Sequence, residues 1–595
     1  MSEAPRSEYA RRLDARRRDA VLHEGRKRVL GHARLAIFVA GIGFAWLALR
    51  WDALPVWTIG LPVLAFLWGV VRHDDASRAA LRATRAVEYY RLGVARLDYD
   101  LHDAPKPGDR WLDTAHPYAE HLDLFGAGSL FARLCGAQTR AGEATLARWL
   151  LAPAPAEEIR ARHAAIDELR SRVDLREDLA VLGPEVSAGL HPDELAAWGE
   201  GEPQLTATWQ RWAALGLAAA MLVAALAALL TPVGITPLLA VVVAELALAL
   251  PLRACVHQAL HDARGPARDL ALLAELLGRI EAERFGSPRL AELRSTLDTE
   301  GLPPSRQIAR LQLRIRLLEA RQNQLFAPLA PLLLWSTQIA FAIDAWRAEC
   351  GPHLRAWIDA VGEIEALGDL ARYAWEEPDD PFPEVVDQGP LFEAEQLGHP
   401  LLPRERCVFN DLRLDGELSL LVVSGSNMSG KSTLLRSVGV NTLLALAGAP
   451  VRARRLALSP LALGPSLRIR DSLEDGASRF YAEITCLRGI VDLAEGPLPA
   501  LFLLDEILGG TNSHDRGIGA AAVVRGLVER GSIGLVTTHD LALTKIADAL
   551  APRARNVHFQ DELIDGEMRF DYRIREGIVT RSNALELMRA VGLEV

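Results

Sequence analysis

Eight consecutive residues of this chain have the types and spacing of a phosphate-binding loop. Gly425, Ser426, Asn427, Met428, Ser429, Gly430, Lys431 and Ser432, followed by Thr433, fit G-x-x-x-x-G-K-[ST]. Such a loop needs glycine at both ends because its backbone bends sharply and turns successive N–H groups onto phosphate oxygens. The helix that follows adds a partial positive charge at its N-terminus. Lys431 would supply a mobile cation for the β- and γ-phosphates, and Ser432 a hydroxyl for Mg²⁺. Arginine dominates the 66 basic residues, and only Lys27, Lys106, Lys431 and Lys545 are lysines. A lysine where the chemistry asks for one points to ATP or GTP. Asp505 and Glu506 close the apolar run LFLLDE, 74 residues after Lys431. Asp505 fits the acid that holds Mg²⁺, and Glu506 the base that orients or deprotonates water. His539 ends a third run, beginning at Ser532, where an imidazole can report a γ-phosphate.

These groups must be carried by strands and turns. The run Leu418 to Val423 breaks at Ser424 and Gly425, and an apolar helix opens at Gly430: a strand, a glycine loop and a helix in order. From about 385 onwards short β-branched runs alternate with glycine turns and helices, the pattern of an α/β domain. Upstream the pattern is helical. In Gly136 to Pro153, Leu146, Trp149 and Leu150 recur at helical spacing, and Ile159, His163, Ile166 and Leu169 continue it. Ile308, Leu311, Ile315, Leu318 and Leu325 form an apolar stripe, with Arg306, Arg310, Arg314 and Arg321 as a second stripe. A solvated helix face accounts for those arginines, although the same spacing could follow a phosphate backbone.

Two pairs of apolar runs stand out. Leu35 to Leu49 and Ala53 to Val71 follow an arginine-dense segment; Ala213 to Leu230 and Val233 to Leu252 are joined by TPVG. As helices the first two cover about 22 and 28 Å, against a hydrocarbon core of about 30 Å. Arg34, Arg50, Arg211 and Arg253 flank the runs, and Trp46, Trp51, Trp57 and Trp68 sit near the ends of the first pair. The basic ends put the flanking segments in the cytoplasm. The apolar stretch Phe326 to Ala342 carries two prolines and is assigned to a soluble core. The chain is half hydrophobic with net charge −11, which excludes a uniformly basic coat but not a local basic channel. Its five cysteines include no C-x-x-C pair, which suits reduced thiols.

The expected plan is therefore a basic cytoplasmic N-terminus (1–34), a transmembrane hairpin (35–72) and a helical core, first part (74–210). A second hairpin (211–253), the second part of the core or lever (254–384) and an ATPase domain (385–595) follow. In fold class this is an α/β P-loop ATPase domain of ABC-like type, preceded by an all-α core/lever domain with two transmembrane helical hairpins.

Taken together, these motifs resemble the MutS family of DNA mismatch repair ATPases. SGSNMSGKST is similar to that family's TGPNMGGKST, including Asn427 and Met428. DSLEDGASRFYAEI (Asp471 to Ile484) resembles its signature segment, DEILGGTNSHD (Asp505 to Asp515) its extended Walker B, and TTHD its THY-type histidine. The block Thr139 to Leu169 looks like the opening of its core domain, and Tyr572 to Leu593 like the end of its ATPase domain. The resemblance implies a homodimer with composite sites, in which Ser478 reaches the ATP of the second subunit. It also implies that Asn427 helps place the attacking water and that Asn410 lies near the adenine. Departures accompany it. Hairpins stand where the family has mismatch-reading and connector domains, the Phe382–Glu384 match lies in a proline-rich linker, and 253–380 is short for a lever and a full DNA clamp. No helix-turn-helix or nuclease domain precedes Val595. The expectation is a multi-pass cell-membrane ATPase, cytoplasmic in its catalytic part, using ATP and Mg²⁺ and engaging mismatched or branched DNA. A transporter-like membrane ATPase and a DNA-independent scaffold are the alternatives.

Overall fold

The computed structural model describes residues 3–50, 55–102, 104–182, 192–263, 265–297, 301–319, 326–426, 429–467, 479–509, 513–540, 543–564 and 567–579. Two units are built from interleaved segments: Met1–Gly136, Leu146–Val181 and Leu367–Val595 form one, and Ala137–Thr145 with Leu182–Ala366 the other.

The first unit carries both sheets. Its strands are β1 (Glu384–Val385), β2 (Phe392–Leu397), β3 (Asn410–Leu414), β4 (Leu420–Ser424), β5 (Arg455–Leu458), β6 (Ala462–Ser466), β7 (Ala500–Asp505), β8 (Ile533–Thr538), β9 (Ala554–Ile564) and β10 (Glu567–Glu576). The larger sheet runs β10-β9-β4-β8-β7-β6, parallel throughout except for the antiparallel β9–β10 edge. Helices Arg479–Ala494 and Ser513–Glu529 pack on it through Leu487, Ile490, Val524 and Leu527. Successive residues of β4, β7 and β8 are buried, so both faces are out of water and these strands read as unbroken apolar runs rather than alternating ones. The smaller sheet, β1-β5-β2-β3, is mixed.

The N-terminal helix Glu3–Arg50 runs through the expected boundary at 34 without a break. It pairs antiparallel with Gly60–Leu97: Tyr9 meets Tyr90 at 5.5 Å between ring centroids, and Phe38 meets Phe66 at 5.6 Å. Of the second expected spanning run, 53–71, residues 53 and 54 lie outside the described residues. Pro55 starts a 3-10 turn, Val56–Ile59, so the α-helical apolar stretch before Arg72 is only Gly60–Val71, about 18 Å. Among the described residues, three helices are long and apolar enough to cross a membrane by length and composition: Ala4–Leu49, Thr208–Leu230 and Thr236–Asp262. Leu35, Val39, Ile42, Leu64 and Trp68 are exposed on the first pair.

The expected helical core has its first part at 74–210 and its second at 254–384. Of the first part, residues 74–136 and 146–181 belong to the unit that holds the sheets. Side chains explain that attachment. Leu122 fills the space beside Gly439, Arg436 pairs with Asp123 at 2.7 Å, and Arg162 donates to the Ala447 carbonyl at 3.1 Å. Gly448, at φ +92°, ends helix Lys431–Ala447 where a Cβ would strike Arg162.

A buried ionic cluster ties the same unit together at the end of helix Leu354–Glu376. Glu376 accepts from Arg96 at 3.0 Å, Arg133 at 3.1 Å, Arg372 at 3.2 Å and Tyr9 at 3.2 Å. Glu377 pairs with Arg133 and Arg452, and Asp380 with Arg452 and Arg404.

The second unit is helical among its described residues. Ile308, Leu311, Ile315 and Leu318 are buried, as their stripe predicts; Leu325 and Arg321 lie outside the described residues. Within 326–342 the burial is divided: Ile339, Ala340 and Phe341 are buried in helix Trp335–Cys350, whereas Leu329 and Leu332 are exposed. Asp344 accepts from the Gln204 and Leu205 amides at 2.7 and 2.8 Å. None of the five cysteines is in a disulfide.

Candidate nucleotide-binding site

The site is assembled at one end of the larger sheet by ladder register. Ser424 stands opposite Thr538, and Thr537 opposite Asp505, so β4, β8 and β7 end side by side. With β8 between them, the loop strand and the acid strand are two ladder spacings apart, about 10 Å. The space beyond the strand ends is a cleft of about 1100 Å³ walled by Lys431, Ser432, Asp505, Glu506, His539 and Tyr572, among others. This is where ligands bind in open α/β sheets, outside the carboxyl ends of the strands.

Gly430, at φ +101°, turns the chain into helix Lys431–Ala447. The Lys431 side chain is almost fully buried, and its ammonium donates to the carbonyls of Gly425 and Ser426 at 2.9 and 2.8 Å. Its third donor direction reaches Glu506 Oε1 at 3.6 Å. Burial lowers the Lys431 pKa below the ordinary lysine value, while the Glu506 and Asp505 carboxylates pull it back up. The hydroxyls of Ser426 and Ser429 are buried without a partner among the described residues. Unsatisfied donors, a buried ammonium and a helix start together suit an anionic phosphate chain.

Asp505 and Glu506 are held by one threonine. Thr537 Oγ1 donates to Asp505 Oδ1 and accepts from the Glu506 amide at 3.1 Å. Glu506 itself is left-handed, at φ +48°, which turns its carboxylate back toward Lys431 and toward His539 Nδ1, 3.3 Å away. No cluster of His, Cys, Asp or Glu among the described residues could hold a metal alone. Magnesium commonly takes one or two carboxylates and completes its shell with waters and substrate phosphates. Asp505 and the exposed Ser432 hydroxyl, both on the cleft wall, fit that manner of binding.

Asn410, expected near an adenine, lies on the same wall, but both ends of its amide are engaged. Nδ2 donates to the Tyr572 carbonyl at 3.0 Å and Oδ1 accepts from the Ile574 amide at 2.8 Å, which fastens β10 to β3. Asn427, Met428 and Ser478 lie outside the described residues, and Gly425, Ser426, Ser429 and Thr433 are in the loop or the first turn as expected. Sequence reasoning missed Thr537 and Tyr572. The Tyr572 ring, at φ +56° and 42% exposed, lies 3.0 Å from where a Gly430 Cβ would stand. His399 on the far wall is pushed down to about 4 by burial and by Arg436 and Arg452, so it is neutral near pH 7.

Similarity to known proteins coincides with this geometry. Residues 421–594 match MutS domain V. Over this domain the chain is similar to proteins of the MutS family. It is 32% identical over 254 residues to DNA mismatch repair protein MutS 2 of Halobacterium salinarum, covering 41% of this chain and 28% of that protein. It is 34% identical over 239 residues to DNA mismatch repair protein MutS of Natronomonas pharaonis, covering 39% and 27%, and 31% over 242 residues to its Aquifex pyrophilus counterpart, covering 39% and 27%. The matched region thus spans a little over a quarter of the length of these MutS relatives.

Proposed function

We propose that this protein is a membrane-held, Mg²⁺-dependent MutS-family ATPase whose nucleotide cycle, run in a homodimer, is coupled to DNA. The observation that carries the reading is the convergence of Lys431, Asp505, Glu506 and His539 on one cleft at the ends of three neighbouring strands. Lys431 would exchange a loop carbonyl for a phosphate oxygen. Bound Mg²⁺ would supply charge neutralisation at the phosphates, held by Ser432 and Asp505. Glu506, aimed by the Thr537 bond, would orient and deprotonate water, and His539 would hold the Glu506 carboxylate in place. The Tyr572 ring offers an apolar face to a base. The strand order, with β8 between the loop strand and the acid strand, supports the ABC-like assignment. Tyr481, Ile484 and Ile518, exposed on the two helices that follow the signature and acid segments, offer apolar contact to a second copy.

Membrane attachment is supported by the exposed apolar faces of the two helix pairs. The first pair returns the chain to its entry side whatever its depth, because Gly31 lies against His73 and Gly69 against Arg34. Both flanks, and the ATPase with them, would then face the cytoplasm. The deciding experiment is ATP turnover by the full chain in nanodiscs, with and without duplex, mismatched and branched DNA. Stimulation by one of these, absent in Lys431→Ala, is expected. Turnover indifferent to every DNA but raised by a transported solute in liposomes would replace this reading with a transporter.

A further inference from the structure

Within the second unit, helix Thr236–Asp262 borders a cavity of about 390 Å³ that is graded along its length. At one end are Leu246 and Leu250, both more than half exposed. Arg253 follows, then His257 and His261, each one helical turn further on. The His257 and His261 rings lie nearly parallel with centroids 6.2 Å apart. Ser336 and Thr337, at the start of helix Trp335–Cys350, add two hydroxyls from the facing wall. Asp262 is the nearby carboxylate, 3.6 Å from His261 Nδ1; Arg253 has no acid within salt-bridge distance among the described residues.

We propose that this cavity is a binding site for the phosphate headgroup of an anionic phospholipid. The proposal rests on the membrane reading above. Arg253 is the residue at which the apolar run ends, so it stands at headgroup level if that run spans the bilayer. Leucines at one end and cation, imidazoles and hydroxyls at the other reproduce the order of a lipid: acyl chain, then phosphate. A soluble phosphate would use only the second half and gain nothing from Leu246 and Leu250. Arginine and neutral or protonated imidazole donate N–H bonds to phosphate oxygens, and the hydroxyls can complete the shell.

The test is native mass spectrometry of the full chain in detergent with equal phosphatidylglycerol and phosphatidylcholine, beside carbonate extraction of membranes from the same cells. Wild type should retain phosphatidylglycerol in preference by about fivefold, the weight of one cation near a headgroup. Arg253→Gln combined with His257→Gln should bring retention to near parity, while Arg253→Lys and Arg211→Gln, which lies outside the cavity lining, keep the preference. All should remain in the carbonate-resistant membrane fraction. Equal retention of the two lipids by wild type overturns the site, as does an equal loss in Arg211→Gln. Displacement of phosphatidylglycerol by excess inorganic phosphate would make it a soluble-anion site and overturn the lipid assignment. Release of wild type by carbonate would instead overturn the membrane reading itself.

Discussion

Glu506 adopts a left-handed backbone, a conformation that costs a non-glycine residue about 1–3 kcal/mol and persists where surrounding bonds demand it. Those bonds come from Thr537, which grips both Glu506 and Asp505. The arrangement separates two roles. Lys431→Ala should abolish nucleotide binding, whereas Glu506→Gln should bind ATP with near-normal affinity and lose roughly 10²–10⁴-fold in turnover, since general-base catalysis acts in the transition state. Normal turnover by Glu506→Gln would remove it from the base role. A pH dependence follows from the depressed Lys431 pKa. Phosphate binding needs the ammonium form, so ATP affinity should fall as pH rises through that value, at a lower pH than an ordinary lysine would give. Glu506→Gln removes a carboxylate that raises the Lys431 pKa and should move the fall lower still; titrating Kd across the alkaline range checks both. The loop, Asp505, Glu506 and His539 were legible because each sits at a fixed offset from an apolar run. Thr537 and Tyr572 were not. Their importance comes from which strand lies beside which, and from a distant hairpin folding over Gly430, neither of which leaves a local pattern.

At the scale of elements, the end of helix Leu354–Glu376 gathers a dense buried cluster of charge. Burial raises the Glu376 pKa, but Arg96, Arg372 and Arg133 overcome it and hold the carboxyl at about 2. Because the folded pKa lies below the unfolded one, its contribution, about 3 kcal/mol, is fully present above pH 4.5. It is lost as pH falls from 4.5 toward 2. Glu376→Gln keeps the shape and removes the charge that three guanidinium groups share. It should destabilise by about 3–5 kcal/mol at neutral pH, read by denaturant unfolding in detergent, with a much smaller difference near pH 2. An unchanged midpoint at neutral pH would mean that the cluster contributes no net stability. Helix periodicity made Leu146, Trp149, Ile159 and Ile308 legible as core. The cluster was illegible: Arg96 and Arg133 lie 280 and 243 residues from Glu376, and these charges look like ordinary surface ones in the sequence. Apolar composition likewise leaves no sign of the 3-10 turn that follows Pro55 in the second leg of the first hairpin.

For the whole molecule, the proposed dimer makes the demand that neither copy be complete alone. Lys431→Ala lacks the bound nucleotide and Ser478→Ala, by family resemblance, lacks the hydroxyl offered to a partner. Each variant alone should be inactive, and mixing them should restore ATP turnover with a maximum near equal amounts. Normal turnover by Ser478→Ala alone would reduce that residue to a helix cap, worth about 1 kcal/mol of stability. The unbroken N-terminal helix adds a geometric consequence. Tyr9 is seated against Trp375 and Glu376, and the apolar run begins after Arg34, about 38 Å further along the same helix. On the membrane reading this rod is a mast. It fixes the catalytic unit at a set height and confines its travel to a plane parallel to the bilayer. Partners then meet by lateral diffusion in two dimensions, so turnover per molecule should follow the number of copies per unit area of membrane and be indifferent to dilution of the vesicles.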